Sequence, residues 1–113
     1  MKLQNDIGVL VRDAREKHNL STRELAALCS ISNTELNRIE RGSRKRPALL
    51  ILKSFENHLG LNFRTLARMA GYSEKTISDG IRMYELNKFK KRLRKEIRKR
   101  ERIDYGEEFE SDN

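Results

Sequence analysis

Two short helices in close succession are the feature that most constrains the fold of this chain. Ser21 is followed three residues later by Glu24, and Ser32 by Glu35. Each pair has the pattern of a capping box, in which the serine oxygen accepts a hydrogen bond from the third helical amide and the glutamate binds back to the serine amide. Because the two boxes stand 11 residues apart, we predict two helices joined by about three residues.

The apolar spacing of these two helices indicates a helix-turn-helix. The predicted helices cover residues ~22–28 and ~33–41, and a pair joined by so short a turn defines that motif. Ala26 is small at the point where the helices are expected to cross, so they can approach closely. We expect six apolar residues to face inward: Leu25, Ala26, Cys29, Ile31, Leu36 and Ile39.

Similar signals predict an all-α chain with five short helices followed by a long one. Pro47 suits the first turn of a fourth helix, because the amide hydrogen that proline lacks has no helical partner there. Gly80 is expected to break or bend the last helix. An N-terminal amphipathic helix is predicted from apolar residues spaced i, i+3, i+4, i+7: Ile7, Leu10, Val11 and Ala14. Other helix boundaries are predicted at capping residues: Asn19, Gly42, Gly60, Asn62, Gly71 and Ser73.

Charge divides the chain into three segments. Residues 1–71, which contain the helix-turn-helix, have a net charge of +6, residues 72–103 have +7 and residues 104–113 have −5. We therefore predict a globular domain, a basic helical extension and an acidic, disordered tail. The overall charge of +8 favours an anionic partner, most often nucleic acid.

The same composition argues against secretion, membrane spanning and catalysis. One cysteine cannot form an internal disulfide, no apolar run approaches the ~18 residues of a membrane span, and the N-terminus has no apolar signal region. The two histidines, His18 and His58, and the single cysteine, Cys29, do not form a zinc-ligand pattern. The sequence also contains no glycine-rich phosphate-binding loop. We expect no cofactor, no metal and no enzymatic activity, and a cytoplasmic, nucleoid-associated location.

The second helix of the motif carries the candidate base-reading residues. We expect Leu36 and Ile39 to be buried. The opposite face then presents amide, hydroxyl and guanidinium groups: Asn33, Thr34, Asn37 and Arg38. Asparagine can pair with adenine, arginine with guanine, and a threonine methyl can contact a thymine methyl. The alternative interpretation is an ordinary capped helix on the protein surface.

Residues ~7–71 resemble the lambda repressor/Cro-like helix-turn-helix family, the XRE-type regulators. The resemblance rests on a set of short motifs: Leu25-Ala26, Ile39–Gly42, Lys45–Pro47 and Leu59–Leu61. It implies a five-helix DNA-binding domain whose third helix enters the major groove, usually as a dimer on a near-palindromic site. The chain departs from the family at Ser30, where glycine is common in the turn.

The resemblance also implies a set of phosphate contacts. In the family, the start of the second helix and the loop after the third helix face the DNA backbone. The free amides at a helix N-terminus favour phosphate, and arginine and lysine side chains add charge. The alternative for the loop is a solvated segment without a partner. The phosphate-binding residues predicted in this way are Thr22, Arg23, Arg41, Arg44, Lys45 and Arg46.

The C-terminal third carries a thin apolar stripe on a basic helix. The stripe consists of Leu86, Phe89, Leu93 and Ile97. Three interpretations stay open: the stripe dimerises the protein or packs on its own domain, the basic face contacts phosphate, or the segment is disordered without a partner. We favour dimerisation or packing, because a phosphate surface has no use for apolar side chains.

These observations predict a transcription regulator that binds a specific double-stranded DNA site as a homodimer. Repression is favoured over activation, because the chain leaves no room for an effector domain. The alternative is the antitoxin of a toxin–antitoxin pair, with the C-terminal part holding the toxin and the motif serving autoregulation. A third interpretation is an adaptor that binds protein or a membrane surface through residues 86–103. We expect no membrane partner.

Overall fold

The computed structural model describes residues 6–112, with side chains over residues 7–101, and this part of the chain is all-α. Five short helices precede one long helix, and no strand occurs among the described residues, as the sequence predicts. The helices are α1 (Asp6–Lys17), α2 (Thr22–Leu28), α3 (Asn33–Arg41), α4 (Leu49–Leu59), α5 (Phe63–Met69) and α6 (Glu74–Asp112). Two compact units divide the chain after Ile77, so the first turn of α6 belongs to the helix-turn-helix unit.

Capping residues predicted from the sequence begin α2 and α5. Ser21 forms the complete capping box of α2, with Glu24 N donating to Ser21 Oγ at 3.1 Å and Ser21 N donating to Glu24 Oε1 at 2.7 Å. Asn62 caps α5 in the same way, by accepting from Thr65 N at 2.9 Å. The helix starts are therefore fixed by local hydrogen bonds.

The second predicted capping box is only half formed. Ser32 Oγ accepts from Glu35 N at 3.0 Å, but the Glu35 carboxylate binds Arg44 instead of the serine amide. The α2–α3 connection has four residues rather than three, from Cys29 to Ser32. Ser30 in this turn has φ 57°, the left-handed conformation, which costs a residue with a Cβ about 1 kcal/mol relative to glycine.

The core of the first unit is formed where α1 lies against α3, α4 and α5. α1 approaches α3 closely at Gly8, where an added Cβ would collide with the carbonyl oxygens of Ile39 and Glu40. This close approach turns Ile7 and Val11 inward and leaves Leu10 37% exposed, so the prediction that Leu10 faces the core is wrong. The largest fully buried side chains include Leu25, Leu36, Leu52, Phe55, Leu66 and Ile77.

Two further predictions, on Pro47 and Gly80, are corrected by the structure. Pro47 lies before the N-cap Ala48 rather than inside α4, and its buried carbonyl accepts a hydrogen bond from the Tyr72 hydroxyl at 2.9 Å. α6 runs through Gly80 without a break, since the neighbouring residues supply enough helical hydrogen bonds to tolerate one glycine. The backbone of residues 104–112 continues α6, and glutamate is a good helix former; disorder of the acidic tail in solution stays a prediction. Asn113 lies outside the described residues.

A buried ion pair fixes α3 against α1. Arg15 Nε donates to Glu40 Oε2 at 2.7 Å and Arg15 Nη2 to Glu40 Oε1 at 3.0 Å, while Nη1 donates to the Leu20 carbonyl at 2.9 Å. The hydrogen bond to Glu40 raises the pKa of Arg15, although burial acts against it. Arg12 approaches the same carboxylate at 3.8 Å from solvent. No local sequence pattern predicts this pair, because its members are 25 residues apart.

Arg15→Leu should strongly destabilise the first unit. The side chain of Glu40 is 4% exposed and would lose its buried partner, and removal of one member of a buried pair costs about 3–5 kcal/mol. Arg12→Leu is the matched control, because Arg12 is 52% exposed and its loss should cost less than about 1 kcal/mol. Urea denaturation of both variants measures the two free energies of unfolding. Equal losses would show that the buried pair has no special role.

Candidate nucleic-acid interface

One face of α3 is buried and the other is open to solvent. Leu36 and Ile39 are completely covered by the core. Ser32 begins the helix by accepting an amide hydrogen bond, and Gly42 ends it in the left-handed conformation with φ 84°. The open face carries all four residues predicted to read bases: Asn33, Thr34, Asn37 and Arg38. Because they are spaced i, i+1, i+4 and i+5, the helix brings them together on one side.

The four side chains are not equally available. Thr34 and Arg38 are exposed, while Asn33 and Asn37 are partly covered. Asn33 Oδ1 is buried and has no hydrogen-bond partner within the described chain. Bidentate recognition of adenine uses both the oxygen and the nitrogen of an asparagine amide. Asn33 can therefore read a base in this way only after its amide turns outward, whereas Thr34 and Arg38 already face solvent.

Arg44 in the loop after α3 is bound to Glu35 on α3. Arg44 Nε donates to Glu35 Oε2 at 2.8 Å and Arg44 Nη2 to Glu35 Oε1 at 3.0 Å. Arg38 Nη1 lies 3.9 Å from Glu35 Oε1. The pKa of Arg44 is raised by its hydrogen bond to Glu35. The capping pattern predicts only a helix-cap role for Glu35, and no local signal in the sequence indicates its pairing with Arg44.

Arg46 in the same loop is directed toward the end of α5. Its Nε donates to the Ala70 carbonyl at 3.3 Å and its Nη2 to the Gly71 carbonyl at 3.2 Å. The guanidinium also lies over the ring of Tyr72, 5.1 Å from the centroid. Arg46 thus holds the loop to the α5–α6 connection, and a phosphate would compete with these contacts.

The remaining predicted phosphate-binding residues lie at the surface of the first unit. Lys45 is exposed and forms no hydrogen bond or ion pair with the residues that the structure describes. Arg23 and Arg41 are exposed at the first turn of α2 and the last turn of α3, and Thr22 is partly exposed. Among the three cations of the loop, Lys45 is the one that the structure leaves available for an external anion.

The second unit, considered by itself, is a basic helix with an apolar stripe. Leu86, Phe89, Leu93 and Ile97 are all exposed, and Met83 is exposed near the start of the stripe. Exposed apolar residues at helical spacing are typical of a surface that binds another helix. The surrounding side chains are mostly lysine and arginine.

No metal-binding cluster occurs in the described part of the chain. Within it, no three histidine, cysteine, aspartate or glutamate side chains are placed to share a metal ion. Cys29 is buried, and burial raises the pKa of its thiol to about 11, so the thiol is protonated and packs as a small apolar group. None of the described helices has both the length and the apolarity needed to cross a bilayer.

Comparison with known proteins identifies the kind of domain. A sequence model of the helix-turn-helix family matches residues 11–66. Of the solved structures, a chain of the SinR protein/SinI protein complex has a TM-score of 0.50 and 21% identity, with 73% of this chain and 97% of that chain covered. The clp gene regulator ClgR from Corynebacterium glutamicum has a TM-score of 0.51 and 24% identity, with 79% and 90% covered. These likenesses concern the fold. No curated protein matches the sequence.

Arg46→Ala should destabilise the first unit, because it removes two hydrogen bonds to carbonyl groups and a contact with the ring of Tyr72. Partly exposed contacts of this kind together contribute about 1–2 kcal/mol. Lys45→Ala removes the neighbouring cation, which has no such contacts, and should change stability by less than about 0.5 kcal/mol. Thermal unfolding of the two variants tests this difference. A loss that is the same in both would contradict the structural role of Arg46.

Proposed function

Residues 11–66 belong to the helix-turn-helix family of the lambda repressor/Cro type, and we propose that this protein regulates transcription by binding a specific site on double-stranded DNA. The observation that carries the proposal is the open face of α3, which presents Asn33, Thr34, Asn37 and Arg38 on one side. In such domains this helix enters the major groove, whose base edges these side chains can recognise.

Cations around α3 supply the non-specific part of the interaction. Arg23, Arg41 and Lys45 are exposed at the ends of α2 and α3 and in the loop that follows. Such residues position a protein on the phosphate backbone and carry no sequence information. The division between amide and hydroxyl groups on α3 and cations around it is what a sequence-specific DNA-binding protein requires. Such a protein acts in the cytoplasm, associated with the nucleoid.

Repression by occupancy is the mode of regulation that we favour. The described residues form one small helix-turn-helix unit and a single extended helix, and a protein that blocks a promoter needs only to bind there. We propose that two copies bind together through the apolar stripe of α6, since two-fold dimers of this family read paired half-sites.

The antitoxin of a toxin–antitoxin pair is the alternative. The same exposed stripe, Leu86, Phe89, Leu93 and Ile97, would then hold a toxin, and the helix-turn-helix would repress the pair's own promoter. Purification of the protein from its native host separates the two functions. A stoichiometric second small protein favours the antitoxin, and a pure homodimer favours the simple repressor.

Asn37→Ala and Arg38→Ala should each relax the preference for particular base pairs. A good base contact contributes about 1–3 kcal/mol of discrimination, whereas non-specific binding rests on phosphate charge. Duplexes selected from a random pool by each variant, and then sequenced, give the altered preferences. Asn57→Ala, an exposed asparagine of α4, is the control and should select the wild-type sequences. If both α3 variants do so as well, α3 is not the reading helix.

Leu93→Asp should weaken self-association. Leu93 is 47% exposed in the middle of the stripe, and a carboxylate there would be buried without a partner when two stripes meet. Leu50→Asp is the matched control, because Leu50 is 71% exposed on α4. Sedimentation equilibrium measures both. A dimer that survives Leu93→Asp but is lost with Leu50→Asp would place the interface in the first unit.

A further inference from the structure

Glu35 is an acidic residue on a helix that, in the proposed function, enters DNA. It is the third residue of α3, directly after Asn33 and Thr34. A carboxylate at this position repels phosphate, so the presence of an acidic residue on this helix requires an explanation. Its position in the first turn gives one, because an acidic side chain there stabilises the helix dipole. That role requires no partner in the following loop.

The Glu35 carboxylate nevertheless makes a bidentate contact with that loop. Arg44 Nε and Nη2 donate to its two oxygens at 2.8 and 3.0 Å. Parallel hydrogen bonds between a guanidinium and a carboxylate are the strongest and most directional arrangement of this kind. Both oxygens of Glu35 are used, and Arg38 lies 3.9 Å from one of them. The pair thus removes one loop cation from the set that is free to contact an anion.

The backbone holds both members of the pair in place. The amides of Ser43 and Arg44 donate to the Arg38 carbonyl at 2.9 and 3.1 Å, which ties the start of the loop to the end of α3. Because Glu35 is fixed on the same helix, little chain entropy opposes the contact. Lys45, the next residue, has no comparable partner among the described residues.

We propose that Glu35 limits the affinity of the protein for DNA of any sequence by acting as an intramolecular counter-ion for Arg44, which binds Glu35 in place of a phosphate. This inference rests on the proposed DNA-binding function. Phosphate contacts strengthen binding to all sequences alike, whereas base contacts discriminate among them. A carboxylate that forms an ion pair with one cation therefore lowers the sequence-independent part of the affinity for DNA. It leaves the base-reading face unchanged.

The salt dependence of binding measures this effect. Each phosphate contact contributes about −0.9 to the slope of log affinity against log salt. Lys45→Ala should flatten the slope by about 0.9, while Arg44→Ala should leave it unchanged, since Arg44 is bound to Glu35. Glu35→Gln should release Arg44 and steepen the slope by about 0.9, which is about a 3.5-fold larger gain in affinity when salt is reduced fourfold.

The double variant Glu35→Gln/Arg44→Ala separates the proposal from simple repulsion. If Glu35 acts through Arg44, the substitution Glu35→Gln should steepen the slope in the wild-type background and have no effect on it in the Arg44→Ala background. If the carboxylate only repels phosphate, the substitution Glu35→Gln should strengthen binding equally in both backgrounds. Glu74→Gln is a control, because Glu74 makes a similar bidentate contact with Arg68, a residue of α5 and not of α3 or the loop that follows it, at 2.6 and 3.2 Å. This control should keep the wild-type slope.

The experiment uses the full chain and a fluorescent duplex of random sequence, with anisotropy titrations over a series of salt concentrations. Circular dichroism melts confirm that each variant is folded before it is titrated. A flatter slope for Arg44→Ala, like that of Lys45→Ala, would overturn the inference, as would an equal effect of Glu35→Gln in both backgrounds. If wild-type protein shows no salt-dependent binding to any duplex, the proposed function fails first.

Discussion

The orientation of α3 depends on the buried ion pair between Arg15 and Glu40. α3 has only nine residues, and an isolated helix of that length is not stable in water. Apolar contacts made by Leu36 and Ile39 hold it to the core, but such contacts are not directional. The two parallel hydrogen bonds from Arg15 are directional, and they act at the point where Gly8 lets α1 approach α3 closely. Such a pair adds little net stability compared with apolar residues of the same volume, although loss of one partner is costly, so we infer that its main consequence is a defined angle for the polar face of α3.

Some cations of this protein bind groups within the chain, and others are exposed to solvent. The net charge of +8 counts every cation equally, yet three arginines are engaged within the chain. Arg15 is bound to Glu40, Arg44 is bound to Glu35, and Arg46 binds the carbonyl groups at the end of α5. Arg41 and Lys45, in contrast, are exposed at the end of α3 and in the loop. The number of phosphates that the first unit can contact is therefore smaller than its count of basic residues. Overall charge predicts the class of partner, but the partners of individual cations decide the strength of binding.

The sequence predicts most of the helix boundaries because capping is local. Ser21 and Asn62 bond to amides three residues away, and Gly42 and Gly60 adopt the left-handed conformation expected after a helix. Two of the predictions that failed concern residues whose surroundings are set by distant parts of the chain. Leu10 is exposed because α1 packs on α3 through Gly8, and Pro47 precedes α4, where its carbonyl accepts from Tyr72. The polar face of α3 could be predicted because burial of Leu36 and Ile39 determines it, whereas no local pattern shows that Glu35 pairs with Arg44 rather than with Ser32.

The base-reading surface of α3 is small. For that reason the proposed function requires both self-association and a low affinity for non-specific DNA. A site must be distinguished from about a million or more competing sequences in a genome, which corresponds to about 8 kcal/mol of discrimination. The open face of α3 offers four side chains, and at about 1–3 kcal/mol for each good contact one copy reaches that value only if most contacts are near-ideal. A dimer doubles the number of base contacts on one site. It also doubles the number of phosphate contacts on every other sequence, and that increase delays the search for the correct site. A carboxylate that keeps Arg44 from phosphate lowers this second term without removing a base contact.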